Sequence, residues 1–169
     1  NIIKKHLDDV VQINFKDALV AELKENFPDL LKEIWLQDSK EWRSGITPAD
    51  RDYLFRDKPP LVRTLMQNYG TDVRRKEDPC YWTDRWIDAT EWDLMKNKTV
   101  LTDDVRFLNE AEAIRLGKGI LIRLERTDIS QEDQHLSETE QQQIECDYTI
   151  SVGHGELDKL EEELVKIIK

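Results

Sequence analysis

The fold is decided by residues 98–126, which read KTVLTDDVRFLNEAEAIRLGKGILIRLER. The start of this stretch, Lys98–Thr102, is short, apolar and rich in β-branched residues, which predicts a buried strand. The residues over Asn109–Leu116 have helical spacing, Gly117 ends that helix, and Ile120–Leu124 predicts the next strand. A strand, a helix and a strand in this order predict parallel pairing, because parallel strands need a crossover connection.

The same alternation extends towards both ends of the chain. Val10–Phe15 predicts an earlier strand, Tyr148–Val152 predicts a later one, and Leu157–Ile167 has the spacing of an amphipathic helix. A long helical stretch covers Lys16–Leu36, with a break near Pro28, because proline cannot donate a hydrogen bond inside a helix. The expected fold is therefore α/β, with a mostly parallel sheet flanked by helices.

Prolines and glycines divide the region between the first two predicted strands into helices. Thr47-Pro48-Ala49-Asp50 predicts a helix start, with Thr as N-cap and Pro in the first turn. Pro59-Pro60 ends that helix and opens another, which Gly70 can end in the left-handed conformation. Asp78-Pro79 begins a third helix. Further along the chain, residues 127–143 are almost wholly polar and predict a surface loop or lid.

Composition restricts the class of protein. The chain has 169 residues, 36% of them charged, and a net charge of −11, which fits one domain of ordinary size. No stretch approaches the ~18 uncharged apolar residues of a membrane helix. Two distant cysteines, Cys80 and Cys146, imply no disulfide framework, so a cytoplasmic location is expected. The acidity argues against a protein that follows a nucleic-acid backbone, although a local arginine cluster could hold a small anion.

Charged residues follow the predicted strands. Asp17 follows the first strand, Asp103, Asp104 and Arg106 follow the second, and Arg126 follows the third. Ligands of parallel α/β sheets bind beyond the carboxyl ends of the strands. Carboxylates at that edge suit Mg²⁺, and arginines suit phosphoryl oxygens because a guanidinium donates two parallel hydrogen bonds. A surface salt-bridge network has the same sequence pattern, so both interpretations stay open.

A second group of arginines lies in the helical region: Arg63, Arg74 and Arg75. Most charged residues on helices are simply solvated, so anion binding is one of two interpretations here. Trp82 and Trp86 lie four residues apart, and this spacing favours a place in the core over a stacking platform for a ligand.

Several blocks of the sequence match known motifs in order. Residues 63–75 read RTLMQNYGTDVRR and residues 78–82 read DPCYW, which correspond to the motif LLQxxGT[DE]xxR followed by DPxxW. Residues 102–114, TDDVRFLNEAEAI, match the block DVRFxNEAEAI almost letter for letter. Residues 123–126 and 135–138 correspond to RxxR followed by HxSE. Together these blocks resemble phage-type deoxynucleoside monophosphate kinases, a branch of the P-loop nucleotide kinases, and the resemblance runs from about Val10 to the C-terminus.

The resemblance implies both a fold and an activity. The fold would be that of P-loop nucleoside monophosphate kinases, with a helical monophosphate-binding region over residues 16–97 and a lid over residues 127–143. The activity would be transfer of the γ-phosphoryl group of ATP to a deoxynucleoside monophosphate, with Mg²⁺ as cofactor, giving the diphosphate and ADP. In such chemistry the protein mainly positions two phosphates and offsets the developing charge.

The resemblance also implies roles for single residues. Arg106 would hold the 5′-phosphate of the acceptor, supported by Arg63 and Arg74. Asp104 would lie near the metal or the attacking phosphate oxygen, and Arg126 would reach the transferring phosphoryl group or the ATP. The remaining implied substrate-binding residues are Phe15, which could stack on the acceptor base, Asp17, Trp82, which would border or brace the base pocket, and Glu138.

One family feature is missing from the sequence. The loop GxxxxGK[ST], which cradles ATP phosphates, does not occur, and Gly117-Lys118-Gly119 is too short and lies between a helix and a strand in the wrong order. In the family this loop lies between the first strand and the first helix. We therefore expect residues 1–169 to be one kinase-like domain without its first strand and P-loop, and residues 1–7 to be the end of that first helix.

Two functions follow as hypotheses. The first is a deoxynucleoside monophosphate kinase whose given chain begins after the ATP loop. The second is a non-catalytic nucleotide-binding or interaction protein that lacks this loop. In both, the expected partners are small deoxynucleotides, with no nucleic-acid polymer and no membrane. The resemblance also suggests a homodimer, and a host-cell cytoplasmic location if the gene belongs to a phage.

Overall fold

The computed structural model of the chain describes residues 2–41, 53–128 and 136–168. In chain order, its helices and strands are α1 (Ile3–His6), β1 (Val10–Gln12), α2 (Phe15–Asn26), α3 (Pro28–Glu41), α4 (Tyr53–Asp57), α5 (Pro60–Gln67), α6 (Tyr81–Met95), β2 (Thr99–Leu101), α7 (Leu108–Leu116), β3 (Ile122–Arg126), α8 (Leu136–Gln143), β4 (Tyr148–Val152) and α9 (Leu157–Ile168). A π-helical segment, Asn68–Arg75, follows α5. The chain divides into two units, one formed by residues 1–14 with 86–169 and the other by residues 15–85.

The first unit contains two pairs of parallel strands. β1 pairs with β2 from Val10 opposite Thr99, and β3 pairs with β4 from Ile122 opposite Tyr148. Helices alternate with these strands along the chain, so the predicted α/β alternation and parallel pairing are confirmed. The expected single sheet is not found, because the described strands form two separate two-stranded sheets.

A cavity of about 1750 Å³ in this unit is bordered by one strand of each pair. Val100 and Leu101 of β2 line it, and so do residues 122–126, which form β3. None of the described residues of β1 or β4 does so. Small-molecule pockets usually measure ~300–1,000 Å³, so this cavity is larger than a small ligand needs. The unpaired edges of β2 and β3 therefore border one large, mainly apolar space.

The third predicted strand is shifted along the chain. It was expected at Ile120–Leu124, whereas β3 begins at Ile122 and ends at Arg126. The loop before β4 explains the difference. Asp147 Oδ2 accepts a hydrogen bond from Leu121 N at 2.7 Å, and Asp147 N donates to Leu121 O at 2.9 Å, so Leu121 is held by this loop just before the ladder begins. The strand continues to Arg126, which is therefore its last residue and does not follow it.

The other bounds in this unit lie close to the prediction, except at the first strand. β4 has the predicted bounds, β2 is shorter than predicted by one residue at each end, and α7 begins one residue earlier than predicted. The predicted strand 10–15 ends at Gln12, and Phe15 instead begins α2. The carbonyl of Ile13 accepts hydrogen bonds from the side chains of Thr102 and Trp86, which replace a strand partner at this point.

The described residues of the second unit are helical. The predicted break near Pro28 is confirmed, because α2 ends at Asn26 and α3 begins at Pro28. Pro59 precedes α5 and Pro60 is its first residue, as predicted. The predicted helix start at residues 47–50 lies outside the described residues. The buried core of this unit consists of two clusters, Leu23 with Tyr69 and Trp82, and Ile34 with Leu54 and Val62.

Gly70 does not end a helix, so that prediction was wrong. It lies inside the π-helical segment, with no positive φ. A Cβ at this position would lie 3.1 Å from Leu19 Cδ2, and the Gly70 carbonyl accepts a hydrogen bond from Trp82 Nε1 at 2.9 Å. Glycine is therefore used here for a close approach of the backbone to neighbouring side chains, a role that the sequence pattern did not distinguish from helix termination.

The predicted polar lid is described only in part. Its residues 136–143 form α8, while residues 129–135, which include His135, lie outside the description. Among the helices that the structure describes, none is both long and apolar enough to cross a membrane.

Candidate active site

The carboxyl ends of β1 and β2 lie side by side and are tied together by hydrogen bonds. Thr102 Oγ1 donates to Ile13 O at 2.7 Å, and Asp103 N donates to the side-chain oxygen of Asn14 at 3.1 Å. Trp86 Nε1 donates to both Ile13 O and Thr102 Oγ1, each at 3.1 Å. Asn14 is buried, at 8% exposed. This edge of the parallel pair is therefore rigidly braced, as expected for a place where a ligand is positioned.

The segment that follows β2 presents the predicted charged residues. Asp103 is exposed and accepts a hydrogen bond from Gln12 Nε2 at 2.8 Å. Asp104 is half-buried and the side chain of Arg106 is exposed. The three charged residues expected beyond the second strand thus come from a single short segment at the end of the braced pair.

The backbone of Arg106 is fixed by a buried acid. Glu110 Oε2 accepts hydrogen bonds from Arg106 N at 2.8 Å and from Phe107 N at 3.2 Å. Glu110 is 2% exposed and belongs to the first turn of α7. A carboxylate is favourable there, because the helix N-terminus carries partial positive charge and unpaired N–H groups.

Arg126 lies at the carboxyl end of β3. Its guanidinium donates to both carboxylate oxygens of Asp128, at 3.2 Å and 2.7 Å, and its Nη2 lies 3.3 Å from His154 Nδ1. The hydrogen bond to Asp128 raises the pKa of Arg126, and the same bond lowers the pKa of Asp128. Arg126 and Asp103 both line the large cavity, so the structure brings the ends of β2 and β3 to one space.

Arg74 belongs to a network in the second unit. Its Nη2 lies 2.8 Å from Tyr69 Oη and 3.3 Å from Glu22 Oε2, and Tyr69 Oη donates to the same glutamate oxygen at 3.0 Å. Tyr69 and Arg74 are five residues apart in the π-helical segment, whose i to i+5 hydrogen bonds place such residues on adjacent turns. Long π-helical segments are rare, and π-bulges are frequent at functional sites.

The other side of this network comes from α6. Tyr81 Oη donates to Glu22 Oε1 at 2.5 Å, and Arg85 Nε donates to the same oxygen at 3.1 Å. The Arg85 guanidinium carbon lies 3.4 Å from the centre of the Tyr81 ring. Burial by itself raises the pKa of Glu22, but the hydrogen bonds from both tyrosines and the charges of both arginines outweigh it and hold that pKa below its ordinary value. Glu22 is therefore a carboxylate shared by two arginines.

The remaining predicted substrate-binding residues have different surroundings. Phe15 and Trp82 are buried, at 4% and 3% exposed. Asp17 and Arg63 are exposed. Glu138 is the third residue of α8.

The sequence did not single out Glu22, Arg85, His154 or Glu110. Glu22 and Arg85 lie on helix faces that look solvated in sequence. His154 has no metal-ligand partner nearby in sequence, so the pattern gave no reason to choose it. Glu110 lies three residues after Phe107, and the sequence signature of a capping box needs Ser or Thr at that first position.

No group of three or more His, Cys, Asp or Glu residues in the described parts of the chain is arranged to hold a metal ion. Mg²⁺ needs less than such a cage, because it usually keeps several waters and takes only one or two carboxylates from the protein. The adjacent acids Asp103 and Asp104 fit that smaller requirement.

Comparison with known proteins gives one match. The sequence model of a family described as deoxynucleotide monophosphate kinase matches residues 31–164. No curated protein and no solved structure matches the chain significantly. The matched range includes the segment after β2, the Arg74 and Arg85 side of the Glu22 network, and the end of β3.

Proposed function

Since the chain belongs to the deoxynucleotide monophosphate kinase family, we propose that it transfers the γ-phosphoryl group of ATP to a deoxynucleoside monophosphate, giving the diphosphate and ADP. The observation that carries this proposal is the braced carboxyl end of β1 and β2, from which Asp103, Asp104 and Arg106 project as one segment. Paired carboxylates and an arginine at this edge are suited to a phosphate and its metal ion.

On the acceptor side, we assign the 5′-phosphate to Arg106. The Arg106 side chain is exposed, while its backbone N–H is held by Glu110. Its guanidinium is therefore accessible to a phosphate from a fixed point of the backbone. Arg63 and Arg74 are assigned as supporting cations. Phe15, Asp17, Trp82 and Glu138 remain proposed contacts of the acceptor, with Trp82 in a bracing role because its ring is buried.

On the donor side, we assign Asp104 to Mg²⁺ and Arg126 to the transferring phosphoryl group. Bound Mg²⁺ would neutralise charge on the phosphates. Arg126 is half-exposed at the end of β3 and is held by Asp128. A positioned guanidinium stabilises the charge that develops on the phosphoryl oxygens.

The large cavity supports a further part of the proposal. A strand placed between β2 and β3 would pair with both unpaired edges and join the two small sheets into one. Apolar side chains on both sides of this space suit a strand buried on both faces. We propose that this strand precedes Asn1 in the gene product and leads into the phosphate-binding loop, which would then leave the sheet beside Asp103 and Arg126.

The test is an assay of ADP release by the full gene product, with ATP, Mg²⁺ and each of the four deoxynucleoside monophosphates. We expect turnover with at least one of them. Arg106→Ala should lower kcat/KM for that acceptor about a hundredfold, because a charge aimed at the acceptor phosphate is removed. Arg56→Ala is the matched control, since Arg56 is an exposed arginine whose side chain forms an ion pair with its neighbour Asp57 at 3.0 Å. Absence of turnover with all four would contradict the proposal.

The alternative function is a protein that binds a nucleotide without catalysis. It predicts that the full gene product binds a deoxynucleoside monophosphate in calorimetry, fails to bind ATP, and releases no ADP. Binding of both nucleotides together with turnover would exclude this alternative.

A further inference from the structure

Glu110 is a buried acid that the proposed reaction does not use. Among the described residues, it is the sole acidic or basic residue that is buried, at 2% exposed. Burying a carboxylate is costly unless hydrogen bonds compensate for lost hydration. A glutamate at this position would therefore be destabilising if it only filled space in the core.

The hydrogen bonds of Glu110 exceed those of an ordinary helix cap. A glutamate in the first turn of a helix normally reaches back to the backbone N–H of the N-cap residue, which here is Phe107, and that bond measures 3.2 Å. The shorter bond, at 2.8 Å, goes to the backbone N–H of Arg106, one residue further back and outside the helix. Glu110 thus holds the backbone of the arginine itself.

The position of Arg106 in the chain gives this contact its importance. Arg106 lies between the braced end of β2 and the start of α7, in a segment without regular structure. Asn14 holds the start of this segment through Asp103 N, and Glu110 holds its end through Arg106 N. The segment is therefore fixed at both ends while the Arg106 side chain remains exposed.

We infer that Glu110 is a positioning residue, which fixes the backbone from which Arg106 reaches the phosphate of the acceptor nucleotide. This inference rests on the proposed function for the identity of the phosphate. Its physical basis is that a guanidinium anchored at a fixed Cα loses less freedom when it binds an anion than one on a mobile loop. Glu110 itself does not touch the acceptor.

The test compares Glu110→Gln with Glu112→Gln in the full gene product. Both are glutamates of α7, but Glu112 is exposed. Glutamine keeps the size of the side chain and one acceptor oxygen, so folding can be preserved while the charge is lost. In Glu110→Gln we expect the amide hydrogens of Arg106 and Phe107 to exchange faster with solvent, and KM for the deoxynucleoside monophosphate to rise about tenfold. KM for ATP should not change, and Glu112→Gln should alter none of these quantities.

A double variant separates positioning from general destabilisation. Glu110→Gln should have no further effect on acceptor KM when Arg106 is already alanine, because the residue through which it acts is absent. Equal effects in the presence and absence of Arg106, or unchanged exchange of the two amides, would overturn the inference while leaving the proposed kinase activity intact.

Failure of the proposed function has a different signature. If the wild-type protein neither turns over nor binds any deoxynucleoside monophosphate, the acceptor role of Arg106 is lost, and the inference falls with it. If the wild type is active but Glu110→Gln binds the acceptor as tightly as Glu112→Gln does, only the inference about Glu110 is wrong.

Discussion

Glu22 accepts hydrogen bonds from Tyr69, Tyr81 and Arg85 and forms an ion pair with Arg74. Its side chain is 17% exposed, so much of its hydration is lost and its partners must compensate for it. A single carboxylate thereby joins α2, the π-helical segment and α6. Two arginines would repel each other without it, and their guanidinium groups would lose their fixed places.

We predict that Glu22→Gln lowers the free energy of unfolding at neutral pH by about 1–3 kcal/mol, because two arginines and two tyrosines lose a charged acceptor. The pKa of Glu22 lies below its ordinary value of 4.5 in the folded state. Its contribution to stability is therefore complete above pH 4.5 and is lost as the pH falls through the lower, folded-state pKa. The difference from wild type should shrink over that acidic range in urea unfolding followed by tryptophan fluorescence.

The matched control for this prediction is Glu25→Gln, an exposed glutamate on the same helix. It should change the free energy of unfolding by less than about 0.5 kcal/mol. A wild-type advantage over Glu22→Gln that stays constant down to low pH would show that the charge of Glu22 is not what stabilises the cluster.

At the scale of elements, the turn between α7 and β3 depends on Gly119. A Cβ there would lie 2.6 Å from Ile114 Cγ2 and 3.0 Å from Ile114 O. The β-branched isoleucine has little freedom in χ1 inside a helix, and a backbone oxygen cannot move alone. Gly119→Ala should therefore lower the free energy of unfolding by about 1–3 kcal/mol, measured by urea unfolding.

Gly117→Ala is the control for this turn, because its Cβ would meet Ile114 O at 3.4 Å, an ordinary contact. It lies two residues earlier, with a φ of −76° that alanine adopts without strain. If Gly119→Ala and Gly117→Ala have equal stability, the close approach at Ile114 does not constrain the turn.

The elements were predictable where local signals agree. β4 has the bounds that its β-branched residues predicted, and the break between α2 and α3 lies at Pro28, where the missing N–H acts locally. The start of β3 was not predictable from local sequence, because it is set by Asp147, more than twenty residues away along the chain. Gly70 was misread for the same reason: its neighbour Trp82 belongs to another helix.

The residues of the candidate site also divide into those that local sequence predicted and those that depend on contacts with other elements. Asp103, Asp104 and Arg106 were found because they directly follow a recognisable strand, and the structure places them on one segment at its end. Glu22, Arg85 and Glu110 act through contacts with other elements or with backbone N–H groups. Such contacts leave no spacing pattern in one sequence, so only the fold reveals them.

At the scale of the whole molecule, β2 and β3 each have one edge that is hydrogen-bonded to a partner strand and one edge that faces away from it. Thr99 N bonds to Asp9 O, so the N–H of Val100 points away from β1, because successive residues of a strand face opposite edges. Thr127 N bonds to Val152 O, so Leu124 N–H likewise points away from β4. In the part of the chain that the structure describes, no strand pairs with these two edges.

We predict that the amide hydrogens of Val100 and Leu124 exchange rapidly with solvent in a protein that consists of residues 1–169. They should become protected from exchange in a longer product that also contains the proposed strand. A strand inserted between β2 and β3 would accept both hydrogen bonds. The amides of Leu101 and Glu125, which point to β1 and β4, serve as controls and should exchange slowly in both proteins. Slow exchange of Val100 and Leu124 in the shorter chain at low protein concentration, or no change on extension, would contradict the proposed strand. Protection that appears in the shorter chain only as its concentration rises would also contradict it, because the edges would then be covered by a second copy.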